Sequence, residues 1–161
     1  MSAPATNPSA SPSASGSVEI GASADTAYAF VTDLDRMATV TAEAVAMRWT
    51  SGTAATPGAV FKGRNRNGWR RWSTRCEVTD AEPGRTFAFE VSSFGIPVAR
   101  WQYDVEPLGA DRCRVTESTW DQRPAWFKGP AGLATGVPDR DAGNAAHIDE
   151  TLARLKSALE A

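Results

Sequence analysis

The side chain in this sequence most able to do chemistry is a carboxylate in apolar company. Glu117 lies in the run from Arg112 to Trp120, where residues alternate with period two, and the alternation puts it on the same side as Cys113, Val115 and Thr119. A carboxylate turned inward is costly to bury ionised, so it must rise in pKa or find a hydrogen-bond donor. Tyr103, at an inward position of the preceding run, offers a hydroxyl. Together the pair could act as a general acid or base on a carbonyl compound, with Tyr103 polarising an oxygen. The alternatives are that Glu117 orients a bound molecule, or that it is a satisfied polar group tying its strand to a helix. Arg70 and Asn65 flank a turn on that same side. The planar fork of Arg70 suits the acidic headgroup of a ligand at a cavity mouth; the competing reading sends both side chains to solvent.

Other reactive types are sparse. His147 is the single histidine and precedes Ile148 on an apolar helix stripe, which puts it at the edge of that stripe. Cys76 and Cys113 are far apart with no C-x-x-C spacing, so no metal site and no disulfide are expected, and no cofactor is implied. Both cysteines point inward and should stay reduced, about three strand spacings of 4.8 Å apart. The run RNRNGWRRW interleaves arginine with tryptophan, as strand-binding proteins do. Alternation nevertheless splits it, with Arg64 and Arg71 on one face and Arg70 on the other, and the chain as a whole is acidic. No nucleic-acid partner is expected.

The chain has 161 residues, a net charge of -2, 42% hydrophobic and 22% charged residues. That suffices for one domain with a real core and is short for two. No apolar run approaches the roughly 20 residues of a membrane span. The first 17 residues, MSAPATNPSASPSASGS, lack the basic start and apolar run of a signal peptide, so the expected compartment is the cytoplasm. Residues 1–16 are almost all Ser, Ala and Pro, and read as a disordered tail before a single domain over 17–161.

Within that domain, Val18 to Ile20 reads as a strand. Ser23 caps a helix whose apolar face is Ala27, Phe30, Val31 and Leu34, and Asp35 caps a second short helix reaching Val40. A strand from about Ala44 to Thr50 follows. Five antiparallel strands then fill Ala59 to Trp120. An Asn67-Gly68 turn pairs Arg66 with Trp69, Asn65 with Arg70, Gly63 with Trp72 and Phe61 with Thr74, and leaves Arg64 opposite Arg71. The Glu82-Pro83-Gly84-Arg85 turn pairs Val78 with Phe89 and Cys76 with Val91, leaving Glu77 opposite Glu90. An odd-length loop around Phe94, Gly95 and Ile96 sets Phe89 beside Trp101, Phe87 beside Tyr103 and Glu90 beside Arg100. A loop over Pro107 to Asp111 sets Tyr103 beside Val115, Trp101 beside Glu117, Asp104 beside Arg114 and Glu106 beside Arg112. Residues 122–138, QRPAWFKGPAGLATGVP, are too rich in Gly and Pro for a long regular element and read as a flap or a fixed loop. A last helix starts between Asp139 and Asn144, with Ile148, Leu152, Leu155 and Leu159 as its stripe.

Three segments, PGAVFKGRNRNGWRRWSTRCEVTDAEPGRTFAFEV, ARWQYDVEPLGADRCRVTES and TLARLK, resemble the SRPBCC superfamily in its polyketide cyclase/dehydrase and lipid-transport branch. The resemblance spans residues 17–160. It implies the α+β helix-grip (START-like) fold: a seven-stranded antiparallel sheet wrapped around a long C-terminal helix, with two short helices after the first strand and a cavity between sheet and helix. A hydrophobic or amphipathic small molecule, lipid- or polyketide-like, is then the expected partner. Its wall combines Asn65, Arg70, Trp72, Phe87, Phe89, Trp101, Tyr103, Val115 and Glu117 from the strands with Asn144, Ile148 and Thr151 from the helix. Two other functions stay open: a polyketide cyclase or dehydratase using Glu117 and Tyr103, and a protein-interaction module with a filled core. The oligomeric state is not legible.

Overall fold

The computed structural model describes residues 10–161. Its elements run β1 (Ala14–Ile20), α1 (Ala24–Val31), α2 (Leu34–Ala38), β2 (Ala44–Ser51), β3 (Val60–Asn67), β4 (Arg70–Glu82), β5 (Thr86–Ser93), β6 (Ile96–Gly109), β7 (Arg112–Asp121), α3 (Ala125–Thr135) and α4 (Arg140–Leu159). The seven strands form one antiparallel sheet in the order β1-β7-β6-β5-β4-β3-β2, the helix-grip arrangement expected from the resemblance. Helix α4 lies against β1 and β7, burying Ile148, Leu152 and Leu155; Leu159 is only partly covered. Ser23 caps α1 as expected, its hydroxyl accepting from the Thr26 N–H.

Three boundaries differ from the sequence reading. The first strand begins at Ala14, so Ala14 to Gly16, assigned above to the tail, pair with Thr119, Ser118 and Glu117; residues 1–9 of that tail lie outside the described residues. Backbone pairing needs no apolar side chain, and the lack of one lets the strand approach α4: a Cβ on Gly16 would stand 2.9 Å from Ile148 Cγ2. Helix α2 is capped by Asp33, which accepts from the Arg36 N–H at 3.1 Å, rather than by Asp35, which sits in its first turn. Residues 125–135, read as irregular, form α3. This helix carries Pro130 in its interior and ends at Gly136, whose φ of 73° supplies the left-handed termination that favours glycine.

The β4–β5 and β5–β6 registers match the expectation: Val78 faces Phe89, Cys76 faces Val91, Phe87 faces Tyr103 and Phe89 faces Trp101, with Glu77 opposite Glu90 and Glu90 opposite Arg100. The odd loop resolves into a tight turn at Phe94-Gly95, both at positive φ, with a bulge between Val91 and Ser92. Two hairpins are offset by two residues. The β3–β4 turn is Gly68-Trp69, so Asn67 faces Arg70, Asn65 faces Trp72, Gly63 faces Thr74, Phe61 faces Cys76 and Arg66 opposes Arg71. Glycine occupies the first central position with φ 61°, as a type II′ turn requires, while the Asn67 amide donates to the Thr135 carbonyl at 2.8 Å. At β6–β7 the turn tightens to Ala110-Asp111, with a bulge between Pro107 and Gly109. Tyr103 therefore faces Glu117, Trp101 faces Thr119, Val105 faces Val115, and Glu106 rather than Asp104 faces Arg114. Arg112 is bound by Glu19 instead of Glu106. A slip of two leaves every side chain on its assigned face, because the pleat has period two.

Candidate functional site

The concave face of the sheet, with α2, α3 and α4, encloses a cavity of about 380 Å³. Strands deliver alternate residues to it: Phe61, Gly63 and Asn65 from β3, Trp72, Thr74 and Cys76 from β4, Phe87, Phe89 and Val91 from β5, Trp101 and Tyr103 from β6, Glu117 from β7. Three of its phenylalanines pack together, backed by Trp49 from behind the wall. Phe61 and Phe89 meet edge to face with centroids 5.0 Å apart, Phe87 lies 5.4 Å from Phe89, and Trp49 lies 5.4 Å from Phe61. Helix α4 adds Asn144, His147 and Thr151. Asn65 is held in place by donating through Nδ2 to Thr74 Oγ1 at 3.2 Å.

The most deeply buried polar pair in the cavity wall is Glu117, only 3% exposed, with Tyr103. The Tyr103 hydroxyl donates to Glu117 Oε1 at 2.8 Å. Burial lifts the Glu117 carboxyl to about 8, the bond from Tyr103 opposing that rise only in part. Tyr103 is itself held well above its ordinary value, first by burial and then by the charge Glu117 would carry. At neutral pH the pair is therefore a phenol bonded to a neutral carboxylic acid. The second oxygen, Oε2, is buried with no hydrogen-bond partner among the described residues. A protonated carboxyl can donate from one oxygen while accepting at the other, so this group can hold a carbonyl, ether or hydroxyl oxygen of a bound molecule.

Nine of the twelve wall residues anticipated from sequence line the cavity; Arg70, Val115 and Ile148 do not. Val115 and Ile148 are fully buried in the core. Arg70 neither rims the cavity nor snorkels freely: its Nε donates to the Leu133 carbonyl at 3.2 Å and its guanidinium stacks 4.5 Å from the Trp69 ring, tying β4 to the end of α3. His147 lines the cavity rather than merely edging the helix, with Nδ1 3.9 Å from Glu43 Oε2. Cys76 and Cys113 are buried and free, separated by β5 and β6, and burial pushes the Cys76 thiol up to about 12.

Two ion pairs in the wall were not anticipated. Arg140 Nη1 donates to both Glu43 oxygens at 3.0 and 2.9 Å, and its Nη2 donates to Thr135 Oγ1 at 2.6 Å. Arg123 grips Asp121 bidentately at 2.9 and 2.8 Å, with both residues half-buried and Lys128 Nζ 3.7 Å from the same carboxylate. Burial pushes the Asp121 carboxyl up, but its bonds from Arg123 outweigh that and leave it below its ordinary value. One signal for the first pair existed: Arg140 opens a helix, where the dipole disfavours a cation unless an anion compensates. Among the described residues no three His, Cys, Asp or Glu side chains gather to hold a metal, and no helix is long and apolar enough to cross a membrane.

A seven-stranded sheet closed over a long helix, with an aromatic cavity between them, defines the SRPBCC class of helix-grip proteins. The chain belongs to the family described as polyketide cyclase/dehydrase and lipid transport, whose model matches residues 11–160. It is similar to a polyketide-cyclase-like protein of Corynebacterium glutamicum solved by NMR, at 30% identity over 91% of this chain and 90% of that one, with a TM-score of 0.61. A protein of Deinococcus radiodurans shares the fold at 16% identity, covering 91% of this chain and 96% of that one, with a TM-score of 0.65. So does the di-domain ARO/CYC protein BexL of the BE-7585A biosynthetic pathway, at 15% identity over 89% of this chain and 45% of that one, TM-score 0.64. No curated protein matches the chain.

Proposed function

We propose that this protein binds a hydrophobic or amphipathic small molecule in the cavity between sheet and α4, as a single cytoplasmic domain. The observation that carries the reading is the composition of the wall: a largely apolar, aromatic-rich surface around a volume of about 380 Å³, within the range of small-molecule sites, with one neutral acid deep inside it. Aromatic area supplies affinity, and the Glu117–Tyr103 pair fixes which end of the molecule enters first. Such a volume does not suit a filled-core interaction module. The test is displacement of an apolar fluorescent dye, with native mass spectrometry to identify what co-purifies. Trp101→Ala should weaken uptake roughly tenfold or more, since truncating a buried aromatic removes about 1.5–3 kcal/mol of contact. Uptake of no apolar probe by the folded protein refutes the reading.

The hydrogen bond between Tyr103 and Glu117 favours a second reading, a cyclase or dehydratase on a polyketide-like carbonyl compound. With a pKa of about 8, Glu117 is suited to deliver a proton near neutral pH while Tyr103 assists. Glu117→Gln separates the two readings: catalysis predicts that turnover collapses while dye uptake persists, and binding alone predicts no turnover in either protein.

A further inference from the structure

Ten of the seventeen lysines and arginines have a carboxylate within 4.0 Å. Among the described residues seven have none, and all but Arg36 fall on three adjacent strands: Arg48 on β2, Lys62, Arg64 and Arg66 on β3, Arg70 and Arg71 on β4. Alternation sends Lys62, Arg64 and Arg66 to the face away from the cavity, where all three are exposed. Register then sets like charge against like: Arg48 faces Lys62, Lys62 faces Arg75, and Arg66 faces Arg71. Directly opposed like charges weaken a sheet, so its own packing gains nothing from this arrangement.

Exposed apolar side chains gather at one end of the same sheet. Trp69 is 80% exposed at the β3–β4 turn, Phe94 97% at the β5–β6 turn, and Trp126 and Leu133 67% and 77% on α3. These elements share an end: Asp121, which closes β7 before α3, pairs with Ala99 near the start of β6, and Arg70 links Trp69 to the Leu133 carbonyl. It is also the end where Phe94, Phe127 and Ala134 line the cavity. Phe94 is the single non-glycine residue with positive φ among the described residues, at 53°. An aromatic ring held at positive φ and almost wholly in water is not packed into the core of the fold.

We propose that this end of the sheet docks on an anionic phospholipid bilayer, with Trp69, Phe94, Trp126 and Leu133 at headgroup depth and Arg64, Arg66 and Arg71, which lead into the β3–β4 turn, against lipid phosphates. Tryptophan and phenylalanine beside basic residues suit the interfacial zone, and basic side chains near an anionic surface are drawn to it. A nucleic acid or acidic protein would meet the cations but leave the apolar crown wet. The proposal goes beyond the cavity reading and does not depend on it.

The test is sedimentation of the full chain with vesicles of phosphatidylcholine and phosphatidylglycerol at 7:3, against pure phosphatidylcholine. Binding to the anionic vesicles alone is expected, with a blue shift in tryptophan emission and weakening by salt. Arg64→Gln with Arg71→Gln should lower affinity about fivefold per charge. Phe94→Gly should also weaken binding while leaving the melting temperature unchanged or higher, an outcome that mere loss of structure cannot give. Absence of binding to the anionic vesicles, equal binding to both vesicle types, or tighter capture of a single-stranded oligonucleotide or of polyglutamate overturns the proposal. Dye uptake retained alongside such a failure leaves the cavity reading standing.

Discussion

Replacing Glu117 by glutamine should stabilise the protein at neutral pH, because the native carboxyl is held protonated against its own preference. Unfolded, it titrates near its ordinary 4.5; folded, burial raises it to about 8. Below 4.5 it is neutral in both states and imposes no cost. Between the two values the unfolded chain has lost the proton and the native one keeps it, so stability falls with rising pH by about 1.4 kcal/mol per pH unit. Above about 8 the native group ionises too and the loss levels off near 5 kcal/mol. At pH 7 the cost is about 3 kcal/mol, a large share of the 5–15 kcal/mol typical of a domain. Glutamine has the same shape, carries no charge, and keeps an oxygen that accepts from Tyr103, so it should recover most of that. Urea unfolding of both proteins at pH 5, 7 and 9 measures the effect. The variant should gain little at pH 5, about 3 kcal/mol at pH 7 and more at pH 9. Parallel stability profiles across that range would mean that Glu117 is ionised in the native state, which removes the argument for a proton-bearing group in the cavity.

Further outcomes follow from neighbouring contacts. Arg123→Ala leaves the half-buried Asp121 carboxylate with only Lys128 at 3.7 Å and the backbone N–H of residue 123, and should cost about 1–2 kcal/mol in urea unfolding, while the intact pair should begin to fail only under acid, as pH falls through the depressed Asp121 value. Gly136→Ala puts a Cβ at positive φ and 3.0 Å from Arg70 Cδ, so it should destabilise by about 1–2 kcal/mol and loosen α3, read as faster amide exchange over 125–135. Cys76 and Cys113 should resist a thiol reagent at pH 8 until the protein is unfolded, since burial raises both thiols. Rapid labelling of the native protein would contradict the packing described for β4 and β7.

Faces of the sheet were legible in the sequence because alternation depends only on parity. That is why Glu117 and Tyr103 were correctly turned inward although their strands were misaligned by two residues. Register was less legible, since rival turns such as Asn67-Gly68 and Gly68-Trp69 differ little locally. The bond of Asn67 to Thr135, 68 residues away, belongs to the second arrangement. Helix α3 was hidden for a related reason: Gly129, Pro130 and Gly132 argue against a helix, while Asn67 and Arg70 bind two of its last carbonyls from the sheet. The Glu43–Arg140 pair joins residues 97 apart, a distance over which periodicity carries no information.

Strand β1 is paired on one side only, with β7, roughly a hundred residues further along the chain. On a ribosome adding about 5–20 residues per second, this segment must wait on the order of 5–20 s for its neighbour to be made. Its small Ser, Gly and Ala side chains from position 14 to 17 make it a poor template for premature association during that wait. The same plainness that hid it from a composition argument is thus suited to a piece that emerges early and is fastened late.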